Sequence, residues 1–418
     1  MPEQRQDAID IYLLKRKVGT ITSIIGPDVH LFAFDQDYIN DSERPTLSLS
    51  FKSQTGSLIT RPLASRLKLP PFFSNLLPEG HLRAYLAKAN GIHSEREFFL
   101  LKALGKDLPG AIIASTSENA EFDATLTSEQ LNNSSFPRLR FSLAGVQLKF
   151  SALADAKGDL TIPGSGGDWI LKLPSFSYPN IPENEFSMLR LARQAGITVP
   201  AVKLVSTDQI ENLPEIVNHS DLKSLAIKRF DRTRSGGRVH IEDFAQIFGL
   251  YPRKKYEGFN YNNIASVLWL EADEEDLVEF VRRLVFNLGI GNADMHLKNW
   301  SLIYRDGRKP NLAPAYDFIS TIVYFDDPNL GLTLGRTKEM YKVDLDDFLY
   351  LADKAKLPRG LVVKTVKESI DACKTAWLEN SRDLPLSEEM WIKIDQHMLK
   401  LPLFNLDNAV KRKLRKSK

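Results

Sequence analysis

The stretch GIGNADMHLKNWSLIY sets Asp294 and Asn299 five positions apart, and APAYDFIS adds a second acid, Asp317, downstream. Phosphoryl transfer to a hydroxyl calls for these groups. One carboxylate accepts or orients the proton of the attacking hydroxyl, while a second carboxylate and an amide oxygen hold magnesium against the nucleotide phosphates. The protein-kinase signature writes them as Asp-x-x-x-x-Asn and a later Asp-Phe-Gly. Asp294 and Asn299 fit the first, and Asp317-Phe318 begins the second. Because Asp and Asn at this spacing also recur by chance in polar loops, the setting carries the weight.

In that setting Leu277, Val281, Leu284, Val285 and Leu288 share one helical face, and Gly289 and Gly291 are expected to break the helix. The polar cluster therefore follows a buried anchor. Residues 302–304 read as a strand, Asp306-Gly307 as a turn, and a second short apolar run delivers Asp317. Helix, loop, hairpin and second acid is the order found around kinase catalytic loops.

Upstream, residues 10–60 are β-rich, with YLLKRKVGTITSIIG and VHLFAF separated by a Gly26-Pro27-Asp28 turn. From Pro70, PPFFSNLLPEGHLRAYLAKANG and EREFFLLKALG have helical apolar spacing, each ended by glycine. TSENAEFDATLTSEQLNNSSF is polar and reads as a linker or mobile loop. RLRFSLAGVQLKFSALAD, WILKLP and SLAIKRFDR read as strands, with a turn at Lys157-Gly158, and ENEFSMLRLARQAG as a helix stopped by Gly196. After Ser235-Gly236-Gly237 the pattern is mainly helical.

Lys172 in WILKL is a cation among apolar strand residues. Two readings stand: a lysine that pairs with nucleotide phosphates, steadied by Glu185 of the next helix, or an edge-strand lysine that keeps solvent contact. GSGGD precedes a strand instead of opening a helix and reads as a hairpin turn. His296 and Lys298 lie within the acid cluster, as phosphate contacts or as structural residues.

The 418 residues exceed the usual single-core limit, and 43% hydrophobic with 26% charged residues is ordinary for a globular chain. A formal net charge of +2 demands neither nucleic acid nor a membrane. The end, KRKLRKSK, is basic and reads as a solvated tail or a contact for phosphates. Cys373 stands alone, so no internal disulfide forms, and it is expected as a small core residue. There is no apolar signal segment or membrane-length run, so a cytoplasmic location is expected.

Assembled, these segments resemble the HipA family of bacterial serine/threonine kinase toxins. The resemblance spans nearly the whole length through FFSNLLPEGHLR, LGKDLPGAI, SLAGVQLKF, ILKLP, ENEF, IKRFDR, EDFAQIFGLYPRKKYE, NADMHLKNW and LAPAYDF. It implies an α+β, kinase-like two-lobe fold: a β-rich N-terminal lobe with an added N-terminal subdomain, and a mostly helical C-terminal lobe. The implied divisions are the subdomain at 1–120, the linker at 121–137, the kinase N-lobe with its ATP-binding loop at 138–231 and the C-lobe with the catalytic loop at 232–418.

The same resemblance implies roles. Asp294 matches the catalytic aspartate, and Asn299 and Asp317 match the magnesium-binding amide and acid. Lys172 matches the ATP-binding lysine. Ala144, Gly145, Val146, Gln147, Leu148 and Lys149 match a phosphate-covering loop, His296, Leu297, Lys298 and Asn299 a nucleotide-contacting run, and Lys228, Arg229 and Phe230 the hinge beside the adenine. Lys228 departs from the glutamate common there, and Phe150 from a small hydroxyl residue. Ser142 matches the autophosphorylated serine. ATP and magnesium are the implied cofactors. A small helix-turn-helix antitoxin of the HipB type, operator DNA reached with it, and a protein substrate such as an aminoacyl-tRNA synthetase are the implied partners. Two other classes remain open: a small-molecule phosphotransferase, and a non-enzymatic co-repressor that binds an antitoxin on DNA.

Overall fold

A computed structural model describes residues 6–116, 149–155, 160–163, 166–175, 177–213, 222–233 and 235–405. Ser142, the expected phosphate loop from Ala144 to Leu148, the turn at Lys157-Gly158 and the basic end 411–418 lie outside them. Contacts divide the chain into two compact units that interleave along the sequence. One is Met1–Leu173, Val205–Lys255 and Ser301–Pro310; the other is Pro174–Leu204, Tyr256–Trp300 and Asn311–Lys418.

In the first unit, the apolar run after residue 6 forms two strands where the sequence reads as one. β1 (Gln6–Leu13) and β2 (Arg16–Ile24) are antiparallel partners joined by Leu14 and Lys15, both at positive φ (50° and 69°). Two consecutive left-handed residues make the tight turn whose twist suits a hairpin. β3 (Val29–Phe34) returns across Gly26-Pro27-Asp28 with Ile24 opposite Val29, as expected. β4 (Leu63–Arg66) and β5 (Ile112–Ser115) complete a five-stranded sheet in the order β4-β3-β2-β1-β5. Alternate β1 residues Ile9, Ile11 and Leu13 are fully buried, and they share a core with Phe72, Phe73, Phe98 and Leu101 from the short helices Pro71–Ser74 and Glu97–Leu104. Burial contributes about 1.5–3 kcal/mol for each such side chain.

The second sheet of this unit contains β6 (Lys149–Ala154), β7 (Leu160–Thr161), β8 (Trp169–Lys172), β9 (Val202–Ser206), β10 (Ile210–Glu211) and β11 (Lys223–Lys228), in the order β10-β7-β6-β8-β11-β9. The unit boundary falls inside β9. β8 is an interior strand, antiparallel to β6 on one side and β11 on the other. Phe150, Leu171 and Ala226 form a core with Leu82, Leu86 and Leu104 from the helices Gly80–Ala89 and Glu97–Leu104. Phe150 therefore fills apolar space that a small hydroxyl residue would leave open. β12 (His240–Asp243) runs antiparallel to β13 (Ser301–Tyr304), a long-range pairing that sets His240 opposite Tyr304.

The second unit is mainly helical, with helices at Ile181–Gln194, Tyr261–Glu271, Glu274–Ile290, Leu345–Ala355, Arg359–Asn380 and Glu388–Lys400. Asp273 begins the helix Glu274–Ile290 with a capping box, and Glu274, Glu275 and Asp276 complement the N-terminal dipole. The expected stripe Leu277, Val281, Leu284, Val285 and Leu288 is buried. Gly289 does not break this helix. It lies inside it, and a Cβ there would come 2.8 Å from the Phe404 ring, so the glycine admits a neighbour; the helix stops at Gly291. Cys373 is a buried residue of Arg359–Asn380, with burial pushing its thiol up to about 12. No helix among the described residues is long and apolar enough to cross a membrane.

Candidate active site

The residues of the expected catalytic loop belong to the second unit and follow the end of the helix Glu274–Ile290. Gly291 caps it in the left-handed region (φ 66°), and a Cβ there would meet Ile322 Cγ1 at 2.6 Å. Its carbonyl accepts the N–H and hydroxyl of Thr321 at 3.1 and 3.0 Å. Asn292 follows, fully buried. Its amide nitrogen donates to Asn287 Oδ1 at 2.9 Å and to the Asp317 carbonyl at 3.2 Å, while its Oδ1 accepts the Asp294 N–H at 3.0 Å. One side chain thus joins the helix end, the loop at Asp294 and the backbone of Asp317.

Asp294 itself is exposed. Its carbonyl accepts the His296 N–H and the Asn299 side-chain amide, both at 2.8 Å. Because the Asn299 nitrogen is turned inward, its Oδ1 is the end presented elsewhere. Leu297, Lys298 and Asn299 form a 3₁₀ turn entered from His296, all buried, and the Lys298 carbonyl accepts the Tyr316 hydroxyl at 2.9 Å. The Met295 carbonyl accepts the buried Tyr261 hydroxyl at 2.9 Å. Trp300 closes the loop against Phe280, ring centroids 4.8 Å apart.

Asp317 is half-buried and holds φ at 55°, a left-handed conformation that aspartate tolerates better than most residues. The next residue, Phe318, is fully buried and stacks on Phe286 at 5.4 Å, anchoring the acid to the same helix that carries Gly291. Beyond it, the Ser320 N–H donates to Asn184 Oδ1 at 3.0 Å, and Asn184 Nδ2 returns a bond to the Ser320 carbonyl. Glu185, the next residue of that helix, is buried in the second unit.

In the first unit, Lys149 and Lys172 stand directly opposite each other in the β6–β8 register, at 8% and 3% exposure. Directly opposed residues of an antiparallel pair project from the same face. An interior strand and this burial rule out the edge-strand lysine. Two lysines are thus enclosed on the same face of this sheet.

Lys228, at the end of β11, pairs with Asp168 and lies 5.2 Å from the Trp169 ring centroid. Arg229 is enclosed. Its guanidinium donates twice to Asp231, at 2.9 and 2.7 Å, and also to Asp107 and Ser151, while its N–H donates to the Asp168 carbonyl at 2.8 Å. Its side chain is therefore committed within the unit and is not held out toward a ligand. Phe230 is half-buried.

Sequence reasoning missed Asn292, Tyr256, the Arg229 partners Asp107 and Asp231, and Arg232, which shares those two acids. Their signal was no more than a place within or beside the stretches that carry the family resemblance. Tyr256 donates its hydroxyl to Asp294 Oδ1, and its ring meets His296 edge-on at 4.9 Å.

A model of the HipA N-terminal domain matches residues 9–115, and one of the HipA-like C-terminal domain matches residues 141–377. The chain belongs to the HipA family. It is 48% identical over 402 residues, covering 95% of this chain and 97% of the relative, to a Sinorhizobium fredii protein named "Putative kinase Y4dM". It is 27% identical over 335 residues, 71% of this chain and 73% of the relative, to the serine/threonine-protein kinase toxin HipA of Shewanella oneidensis. A solved complex of Shewanella oneidensis HipA with HipB and operator DNA shares the fold, with a TM-score of 0.69 at 22% identity over 94% of this chain and 95% of that one. The α+β fold is thus that of HipA, and both HipA domains are present in this chain.

Proposed function

We propose that this HipA-family chain is an ATP- and magnesium-dependent protein serine/threonine kinase, acting as the toxin of a toxin–antitoxin pair. The observation that carries this reading is the bonding of Asn292 to both Asp294 and Asp317, which joins an exposed carboxylate to a second acid beside an amide.

Asp294 orients the acceptor hydroxyl and takes its proton. Asn299 Oδ1 and the Asp317 carboxylate are hard oxygen donors of the kind magnesium selects, which commonly takes only one or two protein carboxylates. Lys149 and Lys172 supply paired positive charge suited to phosphate oxygens. When bound, ATP supplies the phosphoryl group, with magnesium neutralising charge on its phosphates. Lys228 and Phe230 stand at the proposed adenine hinge, where Lys228 is occupied by Asp168 and recognition falls to backbone groups.

Ser142 is the proposed self-silencing site, since a phosphate adds roughly two negative charges just ahead of the phosphate-covering loop. The proposed partners are a HipB-type antitoxin and, through it, operator DNA; the solved HipA relative assembles with both. The proposed substrate is a translation component such as an aminoacyl-tRNA synthetase.

The test is incubation of the purified chain with magnesium, labelled ATP and a bacterial lysate separated into protein and small-molecule fractions. Label on protein serine or threonine supports the reading. Label confined to small molecules, or no transfer, overturns it.

A further inference from the structure

Tyr256 lies a few residues before the helix Tyr261–Glu271, within the same compact unit as the catalytic loop. The residue remains 41% exposed although its hydroxyl donates to Asp294 Oδ1. On one side the ring rests edge-on against His296, which is buried and held by the turn it opens. Thus a phenol with an open path to solvent sits on the carboxylate that an acceptor hydroxyl must reach. At Oδ1 the two hydroxyls would make the same bond, so there they compete.

We propose that Tyr256 is a placeholder for the acceptor hydroxyl: it occupies Asp294 until a protein serine or threonine displaces it, and meanwhile denies that carboxylate to water. The proposal rests on the kinase reading of Asp294. Displacement is easy because one hydroxyl hydrogen bond to Asp294 replaces another, while the exposed tyrosine turns to solvent. Exclusion of water has a chemical consequence. A water donating to Asp294 would stand where the acceptor stands; its oxygen would form a bond to the terminal phosphorus as the bridging P–O bond to ADP breaks. The water proton would pass to Asp294, and ADP and inorganic phosphate would leave. The phenol blocks this futile hydrolysis, so Tyr256 is a positioning residue that protects coupling.

The test compares wild type, Tyr256→Phe, Tyr256→Ala and Asp294→Asn for phosphate release from ATP and magnesium without acceptor, and for kcat and KM with dephosphorylated casein. Tyr256→Phe keeps the ring against His296 and removes only the donor. It is expected to raise acceptor-free phosphate release roughly three-fold or more, the scale of one hydrogen bond, and to lower KM for casein. Tyr256→Ala should raise release at least as much. A merely structural role would not pair higher release with a lower KM for casein. Unchanged or lower release in both variants, with casein phosphorylated by wild type and not by Asp294→Asn, overturns the placeholder and leaves the kinase reading standing. No turnover by wild type on either assay overturns both.

Discussion

The side-chain amide of Asn292 donates to the main-chain carbonyl of Asp317 at 3.2 Å, while its oxygen receives the N–H of Asp294 at 3.0 Å. Both acids therefore take their positions from one buried residue.

Asn292→Ala is expected to leave these buried groups without that partner, costing about 1–3 kcal/mol of stability. It should also lower kcat on the order of 100-fold, since small misplacements of reacting groups cost that much. Thermal unfolding and phosphoryl-transfer kinetics check the two effects; a variant with normal kcat would show that Asn292 does not position the acids.

Lys172 sits on an interior strand opposite Lys149. Lys172→Met keeps much of the side-chain volume and removes one charge of the pair, so nucleotide affinity should fall at least roughly 10-fold, the scale of a charge-assisted hydrogen bond. Titration of ATP by calorimetry reads this directly. Thermal unfolding of the variant separates lost affinity from lost stability.

Arg229 and Arg232 share Asp107 and Asp231 in a buried network that also takes the Gly110 N–H onto Asp231 at 2.8 Å. Burial opposes ionisation of Asp231, but Arg229 and Arg232 hold its carboxyl well below the usual range. Arg229→Met strands buried carboxylates and should cost about 3–5 kcal/mol in denaturant unfolding. Since Asp107 and Gly110 follow the helix Glu97–Leu104 and Arg229 follows β11, the network ties the two sheets of the first unit together.

His240 and Glu242 alternate along β12 and are both buried. Burial pushes Glu242 up from 4.5 to about 7, although Ser48, Tyr304 and the Leu49 N–H all donate to it. Burial pushes His240 down from 6.5 to about 4, with its ring bonded to the Leu47 carbonyl at 2.8 Å. The raised acid stabilises the fold below pH 4.5 and loses that contribution as pH rises to about 7; the depressed histidine contributes above pH 6.5 and loses it as pH falls to about 4. Between pH 4.5 and 6.5 the slopes oppose, so these two groups leave stability nearly flat. In Glu242→Gln the histidine acts alone, and stability should fall by on the order of 3 kcal/mol from pH 6.5 to 4 relative to wild type. Chemical denaturation across that range checks the sign.

The acid, amide and acid of the candidate site were legible because phosphoryl chemistry restricts residue type and spacing, and a buried helical stripe announced their support. Asn292 was not, since its bonds converge from Asn287, Asp294 and Asp317, which only the folded chain brings together. Whether Lys172 lay on an edge depended on β11, formed fifty residues later, returning to cover β8. The Leu14-Lys15 turn lacked glycine and asparagine, so nothing in its composition marked left-handed backbone. Gly289 read as a stop, whereas its purpose was room for Phe404, a contact that sequence distance concealed.

The most direct test of the central claim is Asp294→Asn measured twice, for ATP–magnesium binding by calorimetry and for transfer of labelled phosphate to protein. With Asn299, Asp317, Lys149 and Lys172 untouched, binding should remain within a few-fold of wild type while transfer falls by at least roughly 100-fold, the lower end of general-base contributions. Transfer at the wild-type rate would contradict the assignment of Asp294 as the base, and with it the kinase site described around it.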